Sequence, residues 1–157
     1  HLSLRRQRQM CIRDRNIPNG MTENIEAECS NYDKKIKASG GIDIQILGIG
    51  VNGHIGFNEP NTSFEVGTHL VELEKETIKS NSRFFDSPEE VPTKAISMGI
   101  KTIMQSRAII LLASGEKKAV AIEKTIKGKI STAIPASILQ LHNNVILIVD
   151  KAAGKFI

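Results

Sequence analysis

Cysteine is scarce in this 157-residue chain: Cys11 and Cys29 are the only two. Two isolated thiols form no disulfide framework and have no metal-ligand spacing. A stapled secreted scaffold and a metal site are therefore not expected, and a reduced, cytoplasmic setting fits. Long apolar runs are also missing. Nothing approaches the roughly 18 apolar residues of a membrane-spanning helix, and the opening 1-HLSLRRQRQMCIRDR-15 lacks the apolar stretch of a secretory signal. There is no internal repeat, no low-complexity tract and no sign of a second domain.

Outside that opening, an excess of either charge is absent too. Arg5, Arg6, Arg8, Arg13 and Arg15 face a single acid, Asp14, and these residues carry the whole formal charge of +4. Residues 16–157 balance 16 basic against 16 acidic side chains. A basic arm would ordinarily suggest nucleic acid or heparin as a partner. RRQRQMCIRDR, however, resembles translated sequencing-adapter DNA. Residues 1–15 are read as a non-native leader, and neither a nucleic-acid nor a membrane partner is expected.

What remains has an ordinary globular balance of 40% apolar and 24% charged residues. Apolar spacing predicts a helix over 22–39, capped by Thr22 and ended by Gly40-Gly41. A strand over 42–47 follows, then a glycine-rich loop, an alternating segment 69–73 and a helix over 75–85. Pro92 opens a unit comprising 95–100 and a short helix 101–106. The strand 107–114 precedes a helix 116–128 closed by Gly128, and a last helix 136–142 precedes the strand 145–150. Strands that are apolar on both faces and alternate with helices predict a mainly parallel sheet covered on both sides. The expected class is α/β: a Rossmann-like three-layer fold whose N-terminal part is missing, with 16–157 as one partial domain.

The stretch 48-GIGVNGHIGFNEP-60 matches the dinucleotide fingerprint G-x-G-x-x-G through Gly48, Gly50 and Gly53. Glu72 stands about 20 residues on, where a ribose-binding acid belongs. The element after the glycines fails that reading, because a pyrophosphate needs the N-terminus of a helix. HIGFNEPNTSF, with Gly56 and Pro60, will not form one. Without a cofactor, Gly48 and Gly50 still permit close approach of a substrate to the backbone at a strand end. Asn52, His54 and Glu59 follow within eight residues. A histidine held by a carboxylate keeps one tautomer and can pass protons to a sugar oxygen. Spacing alone favours a structural loop pair, with Asn52 and Asn58 as turn formers.

GxGxNGHIGFNEP, followed in order by 79-KSNSRFFD-86 and 139-LQLH-142, resembles the glucosamine-6-phosphate deaminase family from about Asn16 to Asp150. The related 6-phosphogluconolactonases share the Gly-His but continue differently. The resemblance implies conversion of glucosamine 6-phosphate and water to fructose 6-phosphate and ammonia in amino-sugar catabolism, by a cofactor-free and metal-free hydrolase. It implies that His54 opens the sugar ring, that Glu59 supports His54, and that Asn52 stands where many members have an aspartate. An asparagine there can hold the imidazole by a hydrogen bond but adds no charge. Arg83 and Lys118 match phosphate ligands, with Lys117 leaving the second match open by one residue.

His69 and Val71 replace the arginine and lysine of the allosteric phosphate site in hexameric members, which argues against that site here. His142 is read as a helix cap or packing group. The family's general-base aspartate has no match in 16–157, since Asp43 precedes a strand and Asp150 ends one. The chain alone is therefore expected to be inactive. Oligomeric state is open, a homo-oligomer included. A phosphogluconolactonase-like hydrolase, a phosphosugar-sensing module and an α/β domain with no site remain the alternatives.

Overall fold

The computed structural model describes residues 15–61 and 63–157. The leader expected over 1–15, with Cys11 in it, lies outside them apart from Arg15.

Helix α1 (Ile25–Ala38) carries Glu26 and Glu28 in its first turn and Lys35 and Lys37 in its last, matching the helix dipole at both ends. The expected cap is displaced by two residues. Asn24 Oδ1 accepts the Ala27 N–H at 3.0 Å, while Thr22 Oγ1 accepts the Asn24 N–H one step earlier. Gly40 and Gly41 end the helix at positive φ, as expected. Cys29 is its one buried residue.

Strand β1 (Ile44–Gly48) pairs in parallel with β4 (Ala108–Ala113), and β4 pairs in parallel with β5 (Val145–Val149). The sheet order is β1-β4-β5. Its interior face supplies Leu47, Ile109 and Leu111. They pack against Ile100 and Ile103 of α3 (Ile100–Met104), Ala121 and Ile122 of α4 (Ala119–Lys127), and Leu139. The mainly parallel α/β architecture is thus the one expected, but its covering is not the one predicted. Among the described residues the opposite face stands bare: Ile46 is 62% exposed, Ile44 59%, Ile148 54% and Ile146 50%.

A separate antiparallel pair, β2 (His69–Glu72) with β3 (Lys94–Ser97), flanks the glycine-rich loop. Helix α2 (Lys75–Asn81) stops short of the expected Phe85, giving way to a 3₁₀ turn over Ser82–Phe84. The 116–128 segment likewise begins as a 3₁₀ turn, Glu116–Lys118, before α4, and Gly128 caps it. The last predicted helix is a 3₁₀ segment, Pro135–Leu141. Pro135 opens it, and the Gln140 amide donates to the Thr125 and Gly128 carbonyls at 2.9 Å, tying the segment to the end of α4. His142 caps this segment and links it to the core. Its Nδ1 accepts the Asn144 N–H, so Nε2 carries the proton donated to the Ser106 carbonyl at 2.8 Å.

No helix among the described residues is long and apolar enough to cross a membrane.

Candidate active site

The loop after β1 is folded back on itself by its glycines. The Gly53 N–H donates to the Gly50 carbonyl and the Gly50 N–H to the His54 carbonyl. Gly53 sits at φ +86°, and a Cβ there would lie 2.8 Å from Ile134 Cγ2. Gly50 is required for a different reason: a Cβ at that position would run into the His54 ring. The far end of the loop is pinned by Asn58, 5% exposed, whose Nδ2 donates to the Ile55 and Met98 carbonyls. The Ser97 hydroxyl oxygen accepts the Phe57 N–H at 3.0 Å. Asn58 is therefore a structural turn residue.

This fold brings His54 Nδ1 to 3.0 Å from Glu59 Oε2, with the side chains 17% and 6% exposed. Glu59 also accepts from Asn52 Nδ2 at 2.7 Å on Oε2 and from the Thr77 hydroxyl at 2.6 Å on Oε1. Burial pushes the Glu59 carboxyl up. The hydrogen bonds from His54, Thr77 and Asn52, with the His54 charge, outweigh burial and hold it at about 2. A carboxylate ionised at neutral pH accepts from Nδ1–H, which leaves Nε2 as the ring position able to meet a ligand. Asn52 does not hold the imidazole directly, as the sequence suggested it could. Its amide donates to Glu59, and its Oδ1 accepts the His54 backbone N–H at 3.2 Å.

His54 and Asn52 line a cleft of about 380 Å³ at the C-terminal ends of β1 and β4, together with Gly48, Gly50, Arg83 and Lys118. Glu59 lies behind His54. The predicted residues other than Glu59 thus line one cavity, and Glu59 lines the neighbouring cleft. Lys118 is half-buried and lines it, whereas Lys117 is exposed and does not. Burial lowers the Lys118 pKa; Glu76 opposes that and the Arg83 charge adds to it. Two cations lining one cleft suit a dianionic group within it. The exposed Arg83 guanidinium stacks 4.7 Å from the Phe84 ring centroid.

One wall of the cleft was not foreseen: Glu76, Thr77, Ser80 and Asn81 of α2. Nothing in KETIKSN distinguishes a threonine aimed at a carboxylate from one on a solvated face. His69 and Val71 line a second cleft on the other side of Glu59, with Glu65, Glu72 and Glu74, and no lysine or arginine lines it among the described residues. His69 Nδ1–H donates to the Gly67 carbonyl.

Residues 5–148 match the family described as Glucosamine-6-phosphate isomerases/6-phosphogluconolactonase. The chain is 68% identical over 139 residues to a glucosamine-6-phosphate deaminase of Clostridium botulinum (strain Hall), covering 88% of this chain and 57% of that relative. It is 66% identical over 142 residues to a protein of the same name from Clostridium acetobutylicum, covering 90% of this chain and 59% of the relative. It therefore spans less than two thirds of the curated relatives' length. A solved monomeric glucosamine-6-phosphate deaminase superposes with a TM-score of 0.87 at 48% identity, over 90% of this chain and 59% of the other. A 6-phosphogluconolactonase from Trypanosoma cruzi shares the fold, with a TM-score of 0.59 and 21% identity over 86% of this chain and 54% of that one.

Proposed function

The chain belongs to the glucosamine-6-phosphate isomerase and 6-phosphogluconolactonase family, and from that premise we propose that this protein acts on glucosamine 6-phosphate, giving fructose 6-phosphate and ammonia. One observation supports the reading most: a carboxylate-held histidine opens into the same cleft as two cations, Arg83 and Lys118. The substrate phosphate sits between Arg83 and Lys118, where a bidentate fork and a point charge meet it. Phosphate fixed at that end brings the pyranose ring to His54. Nε2 takes the proton of the anomeric hydroxyl and returns it to the ring oxygen, and the ring opens to the aldehyde. Glu59 keeps Nδ1 protonated and stabilises the imidazolium formed in passing.

The next step moves a proton from C2 to C1, turning the C2 amine into an imine. Water then adds at C2 and ammonia leaves, so the net reaction is a hydrolysis. That transfer needs a base, and no aspartate lines the cleft among the described residues. Asp33 is bound to Thr68, and Asp150 to Ser114, Gly115 and Ala153. The described residues therefore account for phosphosugar binding and ring opening, while no aspartate among them is placed to release ammonia.

Calorimetric titration with glucosamine 6-phosphate, beside an ammonia-coupled assay, tests both parts. Binding that unphosphorylated glucosamine does not reproduce is the expected result, with no ammonia formed. A chain that ignores the phosphosugar sinks the functional reading. Ammonia release would overturn the missing-base reading alone.

A further inference from the structure

Helix α2 has one buried residue, and it is polar: Thr77, 5% exposed. Ile78, next to it, is only half-buried. A seven-residue helix too short to be stable alone is thus anchored through a hydroxyl, and that hydroxyl is spent on Glu59 Oε1 at 2.6 Å. The same helix runs directly into the 3₁₀ turn that carries Arg83, and Asn81 Nδ2 donates to the Thr77 carbonyl at 2.8 Å across the last turn.

We propose that Thr77 is a positioning residue: it fastens the wall of the cleft bearing Arg83 to the carboxylate behind His54. The phosphate-binding side of the site thereby sets the orientation of the proton-transferring imidazole. Each Glu59 oxygen has its own fixed donors, Thr77 on Oε1 and Asn52 with His54 on Oε2. With Oε1 released, only the bonds at Oε2 resist rotation of the carboxylate about its last bond, which has no sharp staggered minima. Oε2 then leaves the plane of the His54 ring and the Nδ1–H loses its acceptor. The role of the hydroxyl is therefore orientation of His54 rather than contact with the sugar. It rests on the deaminase reading only for the identity of the phosphosugar.

The test uses the full chain, nitrogen-15 labelled, as wild type, Thr77→Val and Thr77→Ser, each checked by thermal melting. Long-range proton–nitrogen spectra report the His54 ring nitrogens. Without ligand, the wild type and Thr77→Ser should show a single Nδ1-protonated tautomer. Thr77→Val should show mixed tautomers at an unchanged fold. Thr77→Ala, which suits a helix better than valine, takes its place if the isostere does not fold. On titration with glucosamine 6-phosphate, the His54 response should be lost in Thr77→Val and regained in Thr77→Ser, while the Arg83 response persists in both. A Thr77→Val protein whose His54 nitrogens match the wild type overturns the proposal. Failure of the wild type to bind the phosphosugar strikes the functional reading instead, and the ligand-free tautomers still decide the role of Thr77.

Discussion

At the scale of single residues, the site is a chain of donors converging on one carboxylate. Asn52 is the informative member, because it bonds Glu59 and not the imidazole. An aspartate at 52 would remove a donor and set a second negative charge against Glu59 Oε2. Asn52→Asp should therefore raise the Glu59 carboxyl above its present value of about 2, as read by carboxyl carbon-13 titration. The two proposed phosphate ligands, Arg83 and Lys118, should separate from their neighbour in binding. Arg83→Ala and Lys118→Ala each remove a charge-assisted bond of roughly 1.5–3 kcal/mol, about tenfold to a hundredfold in phosphosugar affinity. Lys117→Ala, outside the cleft, should leave affinity unchanged in the same calorimetric titration. His54, Glu59 and Arg83 could be singled out as candidates in the sequence because they stand in specific family motifs, whereas Lys118 could not be separated from Lys117 there. Thr77 was not legible, since its role depends on a partner 18 residues away meeting it across a cleft.

Among elements, the loop between β1 and β2 shows two separate uses of glycine, and they predict different failures. Gly53→Ala forces a side chain into positive φ and against Ile134, at a cost of roughly 1–3 kcal/mol. Thermal denaturation should detect that loss across the whole domain. Gly50→Ala has no positive φ to strain but drives a methyl into the His54 ring. Its fold should survive while the single Nδ1 tautomer is lost in the nitrogen-15 spectra. Strands and helices were readable from apolar spacing, although the burial follows that spacing only on the sheet face bearing Leu47, Ile109 and Leu111. The 3₁₀ segment Pro135–Leu141 was misread as a helix from the same spacing: over seven residues the i+3 and i+4 patterns coincide. Asn24 and not the expected Thr22 caps α1: both residue types cap well, and only the backbone geometry distinguishes them.

For the molecule as a whole, charge and burial give two further expectations. Glu59 titrates at about 2 when folded against an ordinary 4.5, so the unfolded chain binds the extra proton in acid. Its contribution to stability is complete above about pH 4.5 and is lost as pH falls toward 2. Denaturant unfolding across that range should show the loss, and Glu59→Gln should flatten it. The sheet faces differ as sharply. Ile109→Ala, from a fully buried position, should cost about 2–5 kcal/mol. Ile46→Ser, on the face that stands bare, should change stability by less than about 0.5 kcal/mol. Equal losses at the two positions would show that the bare face is covered in solution.

The sequence by itself determined the α/β class, the parallel strands and the family, because those rest on local periodicity and on contiguous motifs such as GHIGFNEP. It also argued against a dinucleotide-binding helix after Gly48, Gly50 and Gly53, since Gly56 and Pro60 interrupt one, and a loop stands there in the structure. Only the tertiary structure decided which side chain meets which oxygen of Glu59, that Lys118 and not Lys117 lines the cleft, and that one sheet face is left uncovered by the described residues. Those outcomes depend on contacts between segments distant in the chain, and no spacing of letters records a distance across a cleft.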